Sequence, residues 1–105
     1  MTQELIEIPV IKNEKNSRFE LTVDGYTAFI DYLEQPNIIK LIHTESPEEL
    51  AGRGVAKALI EKTLTYLEIN EFKVVPICPL VFAFIKKNPE WLRIVRDDFK
   101  VKFID

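Results

Sequence analysis

Two of the three glycines in this 105-residue chain stand one residue apart, in Leu50-Ala51-Gly52-Arg53-Gly54-Val55-Ala56-Lys57. An apolar, β-rich run precedes them and a long segment of helical periodicity follows. Glycine inside a helix costs about 1 kcal/mol relative to alanine. The pair therefore belongs where the backbone bends sharply or comes close to something. A turn with bare amides that opens onto a helix N-terminus attracts an anionic phosphate. The same spacing also serves as plain punctuation between two helical segments, so the turn by itself leaves both uses open.

Around this junction the chain reads as an antiparallel meander followed by a βαβ unit. Residues 5–12 read as a strand, with Ile6, Ile8 and Val10 on one face and Pro9 marking an edge. Residues 18–23 alternate polar and apolar, the period of a half-buried strand. Asp24-Gly25 joins them to residues 26–33, a strong hairpin signal because both turn residues tolerate positive φ. Residues 38–44 read as a central strand, apolar on both faces. Ser46-Pro47-Glu48-Glu49 has the N-cap, first-turn proline and capping-box glutamate of a helical turn. The main helix is expected over 55–70, with Ala56, Leu59, Ile60, Leu64 and Leu67 as its buried stripe. A short strand over 72–77 should lie parallel to the central one. Proline opens a second, mostly apolar helix over 79–87, which Asn88-Pro89 ends. A helical turn is expected at 91–95, and the alternating tail 99–104 could pair as a strand.

Length allows one domain, residues 1–105. The net charge of −3 argues against nucleic acid as the main partner, although Arg53, Lys57, Lys86 and Lys87 form a potential local basic patch. One cysteine and one histidine leave too few soft ligands for a structural zinc site. The N-terminus lacks a basic start and apolar run, and no apolar stretch approaches the roughly 20 residues that span a bilayer. The expectation is a cytoplasmic protein without a membrane partner.

Four segments in order, His43-Thr44-Glu45-Ser46-Pro47, Gly52-Arg53-Gly54-Val55-Ala56, Val75-Pro76-Ile77-Cys78-Pro79 and Asn88-Pro89-Glu90-Trp91, resemble the small single-domain branch of the GNAT superfamily of N-acetyltransferases. The resemblance covers roughly residues 38–95. It implies an α/β fold with a mixed sheet splayed at its middle, acetyl-coenzyme A in the splay, and transfer of acetyl to an amine. The glycine turn then corresponds to the pyrophosphate loop, with the amides of Arg53, Gly54, Val55, Ala56 and Lys57 toward the phosphates. Gly54 and Ala56 match the family's two small positions. Ala51 stands where the family often has Arg or Gln. The strand end Ile42-His43-Thr44 would hold the pantetheine arm and polarise the thioester carbonyl.

Aminolysis of a thioester needs a neutral amine, and the departing thiolate benefits from a proton donor. Glu45 and His43 lie two residues apart on the central strand, hence on one side if the strand is regular. Either is a candidate base; the bland readings are a solvated carboxylate and a structural histidine. Cys78, at the end of the second parallel strand, is a candidate proton donor or acetyl carrier, or else a small buried hydrophobe. The family commonly has a tyrosine where Phe84 stands, a histidine at Asn88 and a tyrosine at Trp91. Phe84 has no hydroxyl, and Phe82, Phe84 and Trp91 read as core or as cofactor-groove wall. The readings that follow are an acetyl-CoA-dependent N-acetyltransferase acting on a small amine or a lysine side chain, and a catalytically weak acyl-CoA-binding module.

Overall fold

The computed structural model describes residues 1–104. A short helix α1 (Gln3–Glu7) leads into strands β1 (Ile11–Asn13), β2 (Arg18–Val23), β3 (Tyr26–Gln35) and β4 (Ile38–Glu45). Helix α2 (Val55–Ile69), strand β5 (Lys73–Pro76) and helix α3 (Pro79–Lys87) follow, with 3-10 segments at Glu48–Leu50, Pro89–Ile94 and Asp97–Phe103. The sheet order is β1-β2-β3-β4-β5. The first three pairings are antiparallel and β4–β5 is parallel. This is the expected meander followed by a strand-helix-strand unit.

Chemistry at each turn explains the order. Asp24 (φ 51°) and Gly25 (φ 83°) both take the left-handed conformation of a two-residue hairpin, and Val23 pairs directly with Tyr26. Asn37, also left-handed at φ 64°, closes the next turn. Helix α2 then lays Leu59, Leu64 and Leu67, each wholly buried, on the sheet face formed by Phe19, Leu21, Ile30, Ile39 and Leu41. Truncating one such leucine to alanine removes about 2–5 kcal/mol.

Several expectations fail, each for an identifiable reason. Residues 5–12 are not one strand. Thr2 Oγ1 accepts from the Leu5 amide at 3.3 Å and starts α1 instead. Leu5 alone of that helix is buried, Ile6 is exposed, and β1 begins only after Pro9. At 46–49 it is Pro47, not Ser46, that holds the N-cap position, with no side-chain cap bond. Ala56 is half-exposed; Val55 and Ala58 take its part in the buried stripe. The tail does not pair as a strand. It winds as a 3-10 segment that brings Phe99 and Phe103 against Phe82, with Phe103 stacked on Phe82 at 4.2 Å between ring centroids. Finally, β4 is not apolar on both faces, because a bulge interrupts it. Tyr32 faces Leu41 and Asp31 faces His43, so Ile42 is the extra residue on β4. Ile42 and His43 both lie exposed, and Thr44 returns to the buried side opposite Ile30.

Candidate functional site

The site begins where β4 and β5 part. They pair from Ile38 with Lys73 to Leu41 with Pro76, and the Cys78 amide donates to the Leu41 carbonyl at 2.8 Å. The Ile77 amide bonds back to the Val75 carbonyl at 3.0 Å, a tight turn that takes the chain away from β4. Strand β4 runs on to Glu45 paired with β3 alone. Among the described residues its other edge therefore has no ladder partner past Leu41, beginning at the bulge. Across the parting, the Thr44 hydroxyl and the Cys78 thiol lie 3.1 Å apart, both buried. They link the end of β4 to the start of α3.

The glycine turn lies beside this parting. Gly52 (φ 76°) and Gly54 (φ 74°) are both left-handed. An added Cβ at Gly54 would meet open space, so the turn borders solvent rather than packed chain. Gly54 is the N-cap of α2 and no side chain caps that helix. The first helical bond runs from the Ala58 amide to the Gly54 carbonyl at 3.0 Å. The amides of Val55, Ala56 and Lys57 thus precede the intrahelical ladder. The Arg53 amide differs, because it donates to the Leu50 carbonyl at 3.3 Å. The Arg53 side chain also points elsewhere, into the carboxylates of Asp24 at 2.8 Å and Glu4 at 3.0 Å. The Asp24 hydrogen bond, with Glu4 beside it, raises the guanidinium pKa above its ordinary value.

Of three hollows at this helix end, one lies toward α1 between Thr2, Leu5, Arg53 and Glu61, and the other two bear on the turn and α3. The larger, of about 840 Å³, lies between α2 and α3, within the size range of small-ligand sites. Its apolar walls are Ala56, Ile60, Leu80, Ala83 and Phe84, and Lys57, Lys86 and Lys87 bring positive charge to it. A smaller hollow of about 260 Å³ follows the chain from Ser46 to Lys57. Both are lined by Ala56 and Lys57. Asn88 reaches the larger one while its amide group donates to the Phe84 carbonyl at 2.9 Å, closing the end of α3.

The two candidate bases stand together but on another surface. His43 Nε2 lies 3.3 Å from Glu45 Oε1 and both side chains are more than half exposed. They share one side of β4, opposite to Thr44, and neither lines the α2–α3 cleft. Cys78 is only 2% exposed. Among the described residues no group of three or more His, Cys, Asp or Glu could hold a metal ion, and no helix is long and apolar enough to cross a membrane.

Leu80 and Ala83 were not singled out from the sequence. Their signal lay in α3 itself: Val81 and Ile85 make its buried side, and Leu80, Ala83 and Phe84 a second apolar stripe at i, i+3 and i+4. A nine-residue helix apolar on two sides has a second surface to cover.

Residues 18–95 match the family described as GCN5-related N-acetyl-transferase. Protein NATD1 of Gallus gallus is 35% identical over 86 residues, covering 78% of this chain and 77% of the chicken protein. The chain belongs to the GCN5-related N-acetyltransferase family. The human Protein NATD1 is also 35% identical, over 52 residues that make up 50% of this chain and 46% of the human protein. The bovine match is alike, with 52 residues spanning 46% of that protein. Family membership agrees with the parted parallel strands and the glycine-opened helix, and it identifies an acyltransferase-type domain.

Proposed function

We propose that this protein binds acetyl-coenzyme A between α2 and α3 and transfers its acetyl group to a primary amine. The observation that carries the reading is the start of α2. Three amides, those of Val55, Ala56 and Lys57, precede the helical ladder, no side chain caps them, and open space lies at Gly54. The positive end of a 15-residue helix adds to their attraction for a diphosphate. The cleft's chemistry fits the remainder of the ligand, with apolar walls for the pantetheine and adenine portions and lysines for phosphate charge.

The unpaired edge of β4 from Ile42 to Thr44 supports a role in holding the pantetheine amides and polarising the thioester carbonyl. An amine approaching from the exposed side of β4 would meet His43 and Glu45, either of which accepts its proton directly or through water. Buried and bonded to Thr44, Cys78 fits a brace across the strand parting better than a group that touches substrate. The proton for the departing thiolate is then left to solvent, since Phe84 in the cleft wall carries no hydroxyl.

That last feature favours a second reading, an acyl-CoA-binding module with slow transfer. Release of free thiol from acetyl-CoA, followed across a panel of small amines and lysine peptides, separates the two. Release above the hydrolysis background with any amine supports the enzyme; background rates with all of them, alongside intact CoA binding, support the module.

A further inference from the structure

Between the buried Leu50 and Val55, the glycine turn has little beyond the 3.3 Å bond from the Arg53 amide to the Leu50 carbonyl to hold it in shape. Both glycines are left-handed, a Cβ at either would touch nothing within 4 Å, and α2 lacks a side-chain cap. A loop so free would lose entropy when its amides converge on a ligand, which weakens binding. One side chain restrains it. Arg53 sits between the two glycines, and its Nη1 and Nη2 reach Asp24 Oδ2 at 2.8 Å and Glu4 Oε1 at 3.0 Å. Asp24 belongs to the β2–β3 turn and Glu4 to α1, so one guanidinium ties the loop to two separate elements. Asp24 is itself fixed by the left-handed hairpin turn (φ 51°).

We infer that Arg53 is a positioning residue, and that its fork into Glu4 and Asp24 pre-forms the anion-binding turn without contacting the anion. This rests on the acetyl-CoA reading for its ligand but makes a separate statement about the free protein. The resemblance turns the Arg53 amide toward the phosphates and assigns its side chain no role; the competing use of that side chain is direct contact with phosphate. The two uses differ in sign. If Arg53 touched phosphate, neutralising Glu4 and Asp24 would release the guanidinium toward the ligand and tighten binding. If it braces the turn, the same change loosens the turn and weakens binding. The fork is partly exposed, so its effect is local rather than on global stability.

The test uses the full chain as wild type, Arg53→Ala, Arg53→Lys and the double variant Glu4→Gln/Asp24→Asn. Amide hydrogen exchange of the free proteins is read together with calorimetric CoA affinity. The clamp predicts exchange at Arg53 and Ala58, the amides that bond the Leu50 and Gly54 carbonyls, faster by about five-fold in Arg53→Ala and in the double variant. Exchange in β2, β3 and the middle of α2 stays unchanged, and Arg53→Lys recovers part of the protection. CoA affinity falls by a similar factor in both variants, and combining all three substitutions adds nothing further. Unchanged exchange at Arg53 and Ala58 overturns the clamp whatever CoA does. Tighter CoA binding in the double variant overturns it in favour of direct phosphate contact. Should the wild type take up no CoA, the acetyl-CoA reading falls, and the exchange of the free protein alone decides for or against the clamp.

Discussion

Two glycine turns in this chain have nearly the same torsion and opposite consequences. Gly25 at φ 83° and Gly54 at φ 74° both occupy left-handed backbone, and both border open space. At Gly25 the chain folds back on itself. Val23 meets Tyr26, the Thr22 and Thr27 hydroxyls bond at 2.8 Å, and the ladder takes up the flanking amides. At Gly54 the chain turns into a helix, whose first amides look away from the ladder that follows them. Left-handed glycine is thus a conformational device, and the element after it decides whether polar groups are satisfied or offered. Arg53 joins the two turns through Asp24.

Substitution at the two glycines should separate closure from offering, and the largest effect belongs to Gly54. Gly54→Val forces a β-branched residue into the left-handed region and fills the open side of the turn. Calorimetry should find CoA affinity reduced by at least about tenfold, which corresponds to about 1.4 kcal/mol; unchanged affinity would contradict the amide cradle. Gly25→Val carries the same strain, about 1–3 kcal/mol, yet should appear mainly as lowered thermal stability, with CoA affinity falling by no more than the roughly five-fold that loss of the Asp24–Arg53 link would cause. An affinity loss there equal to that of Gly54→Val would erase the distinction between the turns.

Smaller effects come from the two threonines that are the buried polar residues of the described chain. Thr44 has the Cys78 thiol as partner, and Thr63 Oγ1 on α2 has none. Thr44→Val should cost about 1 kcal/mol, and Thr63→Val should be neutral or slightly stabilising. Denaturant midpoints showing the reverse order would deny the Thr44–Cys78 brace. The smallest effect is a pH term remote from both turns. Arg93 holds Glu68 through two hydrogen bonds, one of them Nη2 to Oε1 at 2.9 Å, and keeps that carboxyl below its usual 4.5. A carboxyl depressed by folding stabilises above its unfolded pKa and loses that contribution as pH falls through the folded one. Melting curves of Glu68→Gln should therefore lie slightly below wild type near neutrality and converge with it as the pH falls through the depressed Glu68 pKa. A constant gap across that range would show the pair to be inert.

Where local chemistry decides, the fold was legible. Asp24-Gly25, the stripe Leu59-Ile60-Leu64-Leu67 and Pro79 each state their element, and the meander, β5 and both larger helices follow. One miss is local, the Thr2 cap, and the others lie where distant contacts decide. Alternation in residues 5–12 and 99–104 reads as strand, but a Thr2 cap and an aromatic stack on Phe82 overrule it. Nothing in Ile38-Ile39-Lys40-Leu41-Ile42 marks the bulge, which arises from register with β3. For the site, the glycine turn, Lys57 and Phe84 came from motif spacing and resemblance. The Thr44–Cys78 contact joins residues 34 apart, and the Arg53 fork joins residues 29 and 49 apart, beyond any local pattern.

The central claim is that the amides opening α2 receive a diphosphate. At 12.2 kDa the protein suits a titration with CoA followed on its backbone amide resonances. The amides of Val55, Ala56 and Lys57 should shift most, with Gly54 beside them and the Asp24-Gly25 turn nearly still. Saturable binding that leaves those three amides unmoved, or no binding at millimolar CoA, would contradict that claim.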